Sequence, residues 1–382
     1  MRKPPTPALA VALVAALTAN PAAAAEPITV GALLSVTGPA AFLGAPEART
    51  LEMLVADLNA RGGVGGRPVK LVVKDTAGSP EKAVSFMKQL VDEEQVFAVI
   101  GPATSGETMA VKALAGESRT LLLSCAAAEG IVNPVAPWVF KTAQKDSHAL
   151  VKIFQALKKA GATRIGVLSS NTGFGKAGRE AIAKMAAEQG VKIVADEVYD
   201  KAATDLTAEV TKVKAAGPQA VLNWSIEPAQ AIVIKNARQL GLTVPIFQSH
   251  GFANIQYVKA AGAAAEGVVF PASRIVVAEA LPDKHPQKAV LLAYKRAYEA
   301  RYGEDASAFG GYAHDALALL VRAIEQAGGP DREKVRAALE STRGFVGTSG
   351  VFGFSPTDHN GLDVDAFEMV TVKGGKFALQ AP

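Results

Sequence analysis

Short apolar strands alternate with amphipathic helical stretches along most of the chain, and after residue 141 the alternation starts afresh. Residues 28–34, 69–73, 97–100 and 121–124 are short apolar runs of the kind that form buried parallel strands. Between them, residues 46–60, 80–93 and 107–116 carry the apolar period and the breakers of helices. Parallel neighbours need crossover connections, so this order predicts a doubly wound sheet. The second series has strands at 164–169, 192–199, 220–224, 246–248 and 267–270, with helices at 175–188, 205–216 and 228–240. Two series predict an α/β protein with two doubly wound lobes.

Residues 286–301, 309–326 and 331–340 read as three helices, and the tail from 347 onward returns to short strands. A helical section has no sheet of its own and must pack on one already built. The chain would then cross between lobes three times, near 141–146, 271–274 and 346–350, which makes a three-stranded hinge. The expected division is 26–143 and 272–346 for one lobe, 144–271 and 347–382 for the other.

The N-terminus places Arg2 and Lys3 before an apolar stretch from Ala8 to Leu17 that is too short to span a bilayer. Small residues follow, ending in Ala25, so residues 1–25 read as a secretory signal with Glu26 as the mature start. Prolines at 4, 5, 7 and 21 argue against a buried helix there. No cysteine adjoins the cleavage point, which speaks against a lipid anchor, and a soluble periplasmic monomer is expected. The single cysteine, Cys125, precludes an internal disulfide and reads as an inert buried thiol. The formal charge of +4 is spread along the chain rather than clustered, which disfavours nucleic acid as a partner.

Three turns at the carboxyl ends of expected strands carry the candidate site. Residues 101–106 follow one strand and open a helix, so that N–H groups at its start, with the Thr104 and Ser105 hydroxyls and Gly106, suit a carboxylate. A bland alternative makes Ser105 only the helix cap. Residues 124–128 end the next strand with backbone donors and an apolar wall of Ala126, Ala127 and Ala128. His250 follows the strand at 246–248 and stands beside Gly251. Residues 173–178, with Phe174, imitate a dinucleotide fingerprint and have Asp196 and Glu197 downstream. Three residues separate the first glycine from its strand, however, and the acids fall inside theirs, so the loop reads as a cleft wall. No catalytic motif, metal-ligand spacing or cofactor site is evident. His148, His285, His314 and His359 are far apart, and Asp358, Asn360, Asp363 and Asp365 lack the spacing of a calcium loop.

The chain resembles the periplasmic solute-binding proteins of the leucine/isoleucine/valine type, which deliver ligands to ABC transporters. The resemblance rests on residues 31–39 (GALLSVTGP), 59–68 (NARGGVGGRP), 100–102 (IGP), 172–175 (TGFG) and 309–312 (FGGY), in that order. It implies a type I periplasmic binding protein fold, a ligand held between closing lobes, and an inner-membrane permease as partner. It also implies that Ser105 and donors at Ala126 and Ala128 hold a carboxylate, with Ala128 replacing a hydroxyl residue. His250 stands where an acid usually pairs with an ammonium. Phe42 and Leu43 replace a tyrosine, Phe174 takes another tyrosine-like position, and Trp224 and Phe309 add to the wall. The implied ligand is an apolar carboxylate without an amine, such as a benzoate-like or phenylpropanoid acid or a branched 2-oxo acid, as in an aromatic-acid-binding subgroup. Glu227, Glu129 or Asp146 reaching the cleft would restore a branched-chain amino acid. A ligand sensor for a membrane receptor and an exported nucleotide-dependent oxidoreductase stay open as alternatives.

Overall fold

The computed structural model describes residue 1 and residues 26–381, so the expected signal segment lies outside the described residues apart from Met1. Strands β1 (Ile28–Leu34), β2 (Val69–Asp75), β3 (Ala98–Ile100), β4 (Leu121–Ser124) and β5 (Val139–Lys141) form one parallel sheet in the order β2-β1-β3-β4-β5. Helices α1 (Ala41–Ala60), α2 (Pro80–Asp92) and α3 (Ser105–Glu117) are its crossovers. Helix α1 begins five residues before the sequence expectation and carries Pro46 inside it. Pro46 lies in the second turn, where the N–H it lacks would have met a carbonyl at the fraying end of the helix. The helix therefore passes through it.

The second sheet repeats the pattern. Helix α4 (Asp146–Lys159) leads to β6 (Arg164–Ser170), α5 (Gly173–Gln189), β7 (Lys192–Tyr199), α6 (Thr207–Ala215) and β8 (Ala220–Trp224). Then come α7 (Ala229–Gln239), β9 (Ile246–Gln248), α8 (Ile255–Ala261) and β10 (Val269–Ala272). Its parallel part runs β10-β9-β8-β6-β7, the same winding as the first sheet. In both sheets the order reverses beside the first strand, and ligand crevices in such folds open at that point, beyond the carboxyl ends of the strands.

Helices α9 (Lys288–Tyr302), α10 (Ala308–Ala327) and α11 (Arg332–Glu340) return to the first sheet. Helix α10 packs along α1, and the Tyr294 hydroxyl meets the Thr50 hydroxyl at 2.8 Å. Arg332 donates to the carbonyls of Val96 and Phe97 at 2.7 and 3.2 Å. After the small hairpin β11 (Phe345–Val346) and β12 (Val351–Phe352), β13 (Glu368–Lys373) and β14 (Lys376–Leu379) extend the second sheet antiparallel beside β10.

The connections between the sheets are bonded to one another. Gln144 Nε2 donates to the Ser349 carbonyl at 2.7 Å, and Ser273 Oγ to the Thr348 carbonyl at 3.1 Å. The buried Asp315 carboxylate of α10 accepts the N–H groups of Thr348 at 2.8 Å and Ser349 at 2.7 Å. No helix among the described residues is long and apolar enough to cross a membrane.

Candidate functional site

The carboxyl ends of the two sheets face each other across a small cavity. From the first lobe come Leu43 on α1, Ala103 and Ser105 after β3, Cys125, Ala126 and Ala127 after β4, and Phe309 and Tyr312 on α10. From the second come Phe174 at the start of α5, Ile226 after β8, and His250 and Gly251 after β9. The cavity thus gathers Leu43, Ser105, Ala126, Ala127, Phe174, His250 and Phe309 from six separate turns and helices.

Five expected wall residues lie elsewhere. The Phe42 ring packs 5.0 Å from Tyr257, and its carbonyl accepts a hydrogen bond from Asn254 Nδ2 at 3.0 Å, so it links the lobes outside the cavity. Thr104, not Ser105, is the cap of α3, accepting the Glu107 N–H at 3.4 Å. Thr104 and Gly106 line an outer cavity at the mouth, together with Gly173 and Glu227. Ala128 is turned into the core of its lobe, and its N–H donates to Ser105 Oγ at 3.2 Å. Trp224 is fully buried behind Phe174.

The donors expected to meet a carboxylate are therefore partly taken up within the lobe. The Ala126 N–H is likewise taken, by Ser124 Oγ at 3.1 Å. Ser105 Oγ accepts from Ala128, which leaves its own proton to donate, and the first turn of α3 presents N–H groups that have no acceptor inside the helix.

In the opposite wall, the rings of Phe174 and Trp224 stack with centroids 5.6 Å apart. The His250 ring stands edge-on to both, at 5.5 and 5.7 Å, and a further 5.3 Å from Phe367. This packing accounts for the glycines of the apparent fingerprint. A Cβ on Gly178 would lie 2.0 Å from Trp224 Nε1, and one on Gly175 would lie 1.9 Å from the Ser170 carbonyl oxygen. A Cβ on Gly173 would stand 2.7 Å from Gly106 Cα, across the mouth of the cleft. Close approach of helix to strand and of lobe to lobe demands them, with no nucleotide involved.

A buried polar cluster backs the cavity. His250 Nε2 is 3.6 Å from Asp146 Oδ1, and neither ring nitrogen nor either carboxyl oxygen has a hydrogen-bond partner among the described residues. Lys141 Nζ, also buried, donates to the carbonyls of Ala127 and Gln144. Burial drives the His250 pKa down to about 3, with a further push from the Lys141 charge. Burial raises Asp146 to about 7, against the pull of Lys141 and with help from Glu129. Burial lowers Lys141 to about 8. At neutral pH His250 is therefore an uncharged imidazole, and its contact with Asp146 is not an ion pair. Asp146 stays one layer behind the cavity wall, Glu129 accepts from Ser147 Oγ at 2.8 Å, and Glu227 sits at the mouth.

Sequence reasoning missed Ala103, Cys125, Ile226, Gly251 and Tyr312. Tyr312 was within reach, because it follows Phe309 by three residues on one helical face. Burial pushes the Cys125 thiol pKa well up, which suits an inert wall residue.

A periplasmic binding protein family model matches residues 27–376, nearly the whole described chain. The chain belongs to that family.

As a periplasmic binding protein it is a carrier of solutes and not an enzyme. It is 26% identical over 349 residues to the leucine-, isoleucine-, valine-, threonine- and alanine-binding protein of Pseudomonas aeruginosa, covering 90% of each chain. Among solved structures, an extracellular ligand-binding receptor from Rhodopseudomonas palustris HaA2 superposes with a TM-score of 0.86 at 30% identity, covering 93% of this chain and 100% of the other. The branched-chain amino acid substrate-binding protein LivJ of Streptococcus pneumoniae, in complex with isoleucine, superposes with a TM-score of 0.80 at 27% identity, covering 92% and 97%.

Proposed function

We propose that this periplasmic binding protein captures a small apolar carboxylate that lacks an ammonium group and hands it to an ABC transporter permease. Aromatic acids of the benzoate or phenylpropanoid type and branched 2-oxo acids fit that description. The observation that carries the reading is His250. By the resemblance it stands where the leucine/isoleucine/valine type has an acid, and it is an uncharged imidazole packed edge-on against Phe174 and Trp224. Burying an ammonium without a carboxylate beside it costs several kcal/mol, on the order of 3–5. Ser105 Oγ and the first turn of α3 supply the carboxylate end, and Leu43, Phe174 and Phe309 the apolar walls.

A branched-chain amino acid is the second reading, and the names of the relatives favour it. Such ligands share the carboxylate and the apolar body, and Asp146 provides a carboxylate one side chain behind His250. Mass spectrometry of the small molecules released on denaturing the freshly purified protein separates the two. An aromatic or 2-oxo acid supports the first reading, and leucine, isoleucine or valine the second.

A further inference from the structure

We infer that Asp146 is a positioning residue that acts through His250, setting whether the cleft accepts or donates a hydrogen bond to the ligand and so choosing between hydroxy and oxo acids. The inference deepens the carboxylate reading above and rests on it.

His250 lines the cavity, whereas Asp146 does not. The two are 3.6 Å apart through Nε2 and Oδ1, about half an ångström beyond an ordinary N–H···O bond. Both are almost fully buried, and none of their four polar side-chain atoms has a partner in the protein among the described residues. Three aromatic rings hold the imidazole edge-on and tilted, so its orientation is fixed by packing.

A neutral imidazole has one donating and one accepting nitrogen, and a partner on one side decides the role of the other. An ionised Asp146 can only accept. It draws the proton to Nε2 and leaves a lone pair on Nδ1, which accepts from a ligand hydroxyl. A protonated Asp146 donates its O–H to Nε2, so that the ring proton sits on Nδ1 and donates to a ligand oxo group. Histidine is neutral in both arrangements. They differ by one proton on Asp146, taken from or released to bulk water.

The surroundings make both states accessible. Asp146 is faced by Lys141 from β5, by Glu129 from the turn after β4 and by His250. Lys141 is in turn faced by Lys145 and Asp358, and His148 by Glu129, Lys145 and Lys141. Together these leave Asp146 titrating at about 7.

The test is titration calorimetry of the mature protein with two matched acids, 4-methyl-2-oxopentanoate and 2-hydroxy-4-methylpentanoate, across about pH 5.5 to 7.5. The ratio of oxo to hydroxy affinity should fall as pH rises through Asp146's titration, by up to about tenfold per pH unit. In buffers of different ionisation enthalpy, the oxo acid should bind with proton uptake relative to the hydroxy acid. Asp146→Asn should bind both acids with a ratio that no longer depends on pH. A pH-independent ratio in the wild type, equal proton counts for the two acids, or the same slope in D146N would each overturn the relay. The first two need no variant. Binding of neither acid would overturn the carboxylate reading and the relay with it, whereas binding of both at a constant ratio would overturn the relay alone.

Discussion

His250 Nε2 lies 3.6 Å from Asp146 Oδ1, the ring in the wall of the cleft and the carboxyl one layer behind it. A buried histidine held neutral makes the folded protein sensitive to acid. Its folded pKa of about 3 lies below the ordinary value of 6.5. Between those values the unfolded chain binds more protons, so stability rises with pH across this window and is lost as pH falls through it. The slope contributed by this residue is up to about 1.4 kcal/mol per pH unit. Urea denaturation of the wild type and His250→Phe at pH 4.5 and 7 should show the variant losing less stability on acidification.

Ser105 and Thr104 divide the work at the start of α3. Thr104 caps the helix, while Ser105 turns its hydroxyl toward Ala128 and the cavity. Ser105→Ala should weaken carboxylate binding by on the order of 1.5–3 kcal/mol with little change in Tm. Thr104→Ala should cost about 1 kcal/mol of stability through loss of the cap. Calorimetric titration together with thermal melts reads both, and a Tm drop in S105A at unchanged affinity would count against a ligand role.

Gly178 and Trp224 meet where α5 crosses β8. Gly178→Ala forces a methyl group against the indole, since its Cβ would stand 2.0 Å from Nε1. Overpacking of this kind should cost about 1–3 kcal/mol and displace Phe174 from the cleft wall. Thermal melts and tryptophan fluorescence report it, and neither NAD nor NADP should protect the wild type against heat.

Asp315 ties the third connection between lobes to α10 by accepting two backbone N–H groups. In Asp315→Asn one of those donors faces an amide NH2 and goes unpaired, at a cost of about 1–3 kcal/mol. Hydrogen exchange should show faster exchange at Thr348 and Ser349, with the second sheet unaffected.

The fold was legible because buried parallel strands are short apolar runs and their crossovers are amphipathic, so periodicity alone marks both. The start of α1 was not, because Pro46 resembles a boundary unless its missing N–H falls harmlessly near the end of a helix. In the site, the turns that face the cleft could be read from their place after strands. What individual side chains do there could not. Whether Ala128 N–H points to a ligand or to Ser105, and whether Phe42 fills the cavity or packs on Tyr257, depends on tertiary packing that no local pattern encodes. The Asp146–His250 contact joins residues far apart in the sequence and has no sequence signature at all.

The central claim is that the cleft takes an apolar carboxylate without an ammonium group. Leucine and 4-methyl-2-oxopentanoate differ only in an amine against an oxo group, so titrating the wild-type protein with each at pH 7 tests that claim directly. The oxo acid should bind at least about tenfold more tightly, a difference of roughly 1.4 kcal/mol. Tighter binding of leucine would contradict the account.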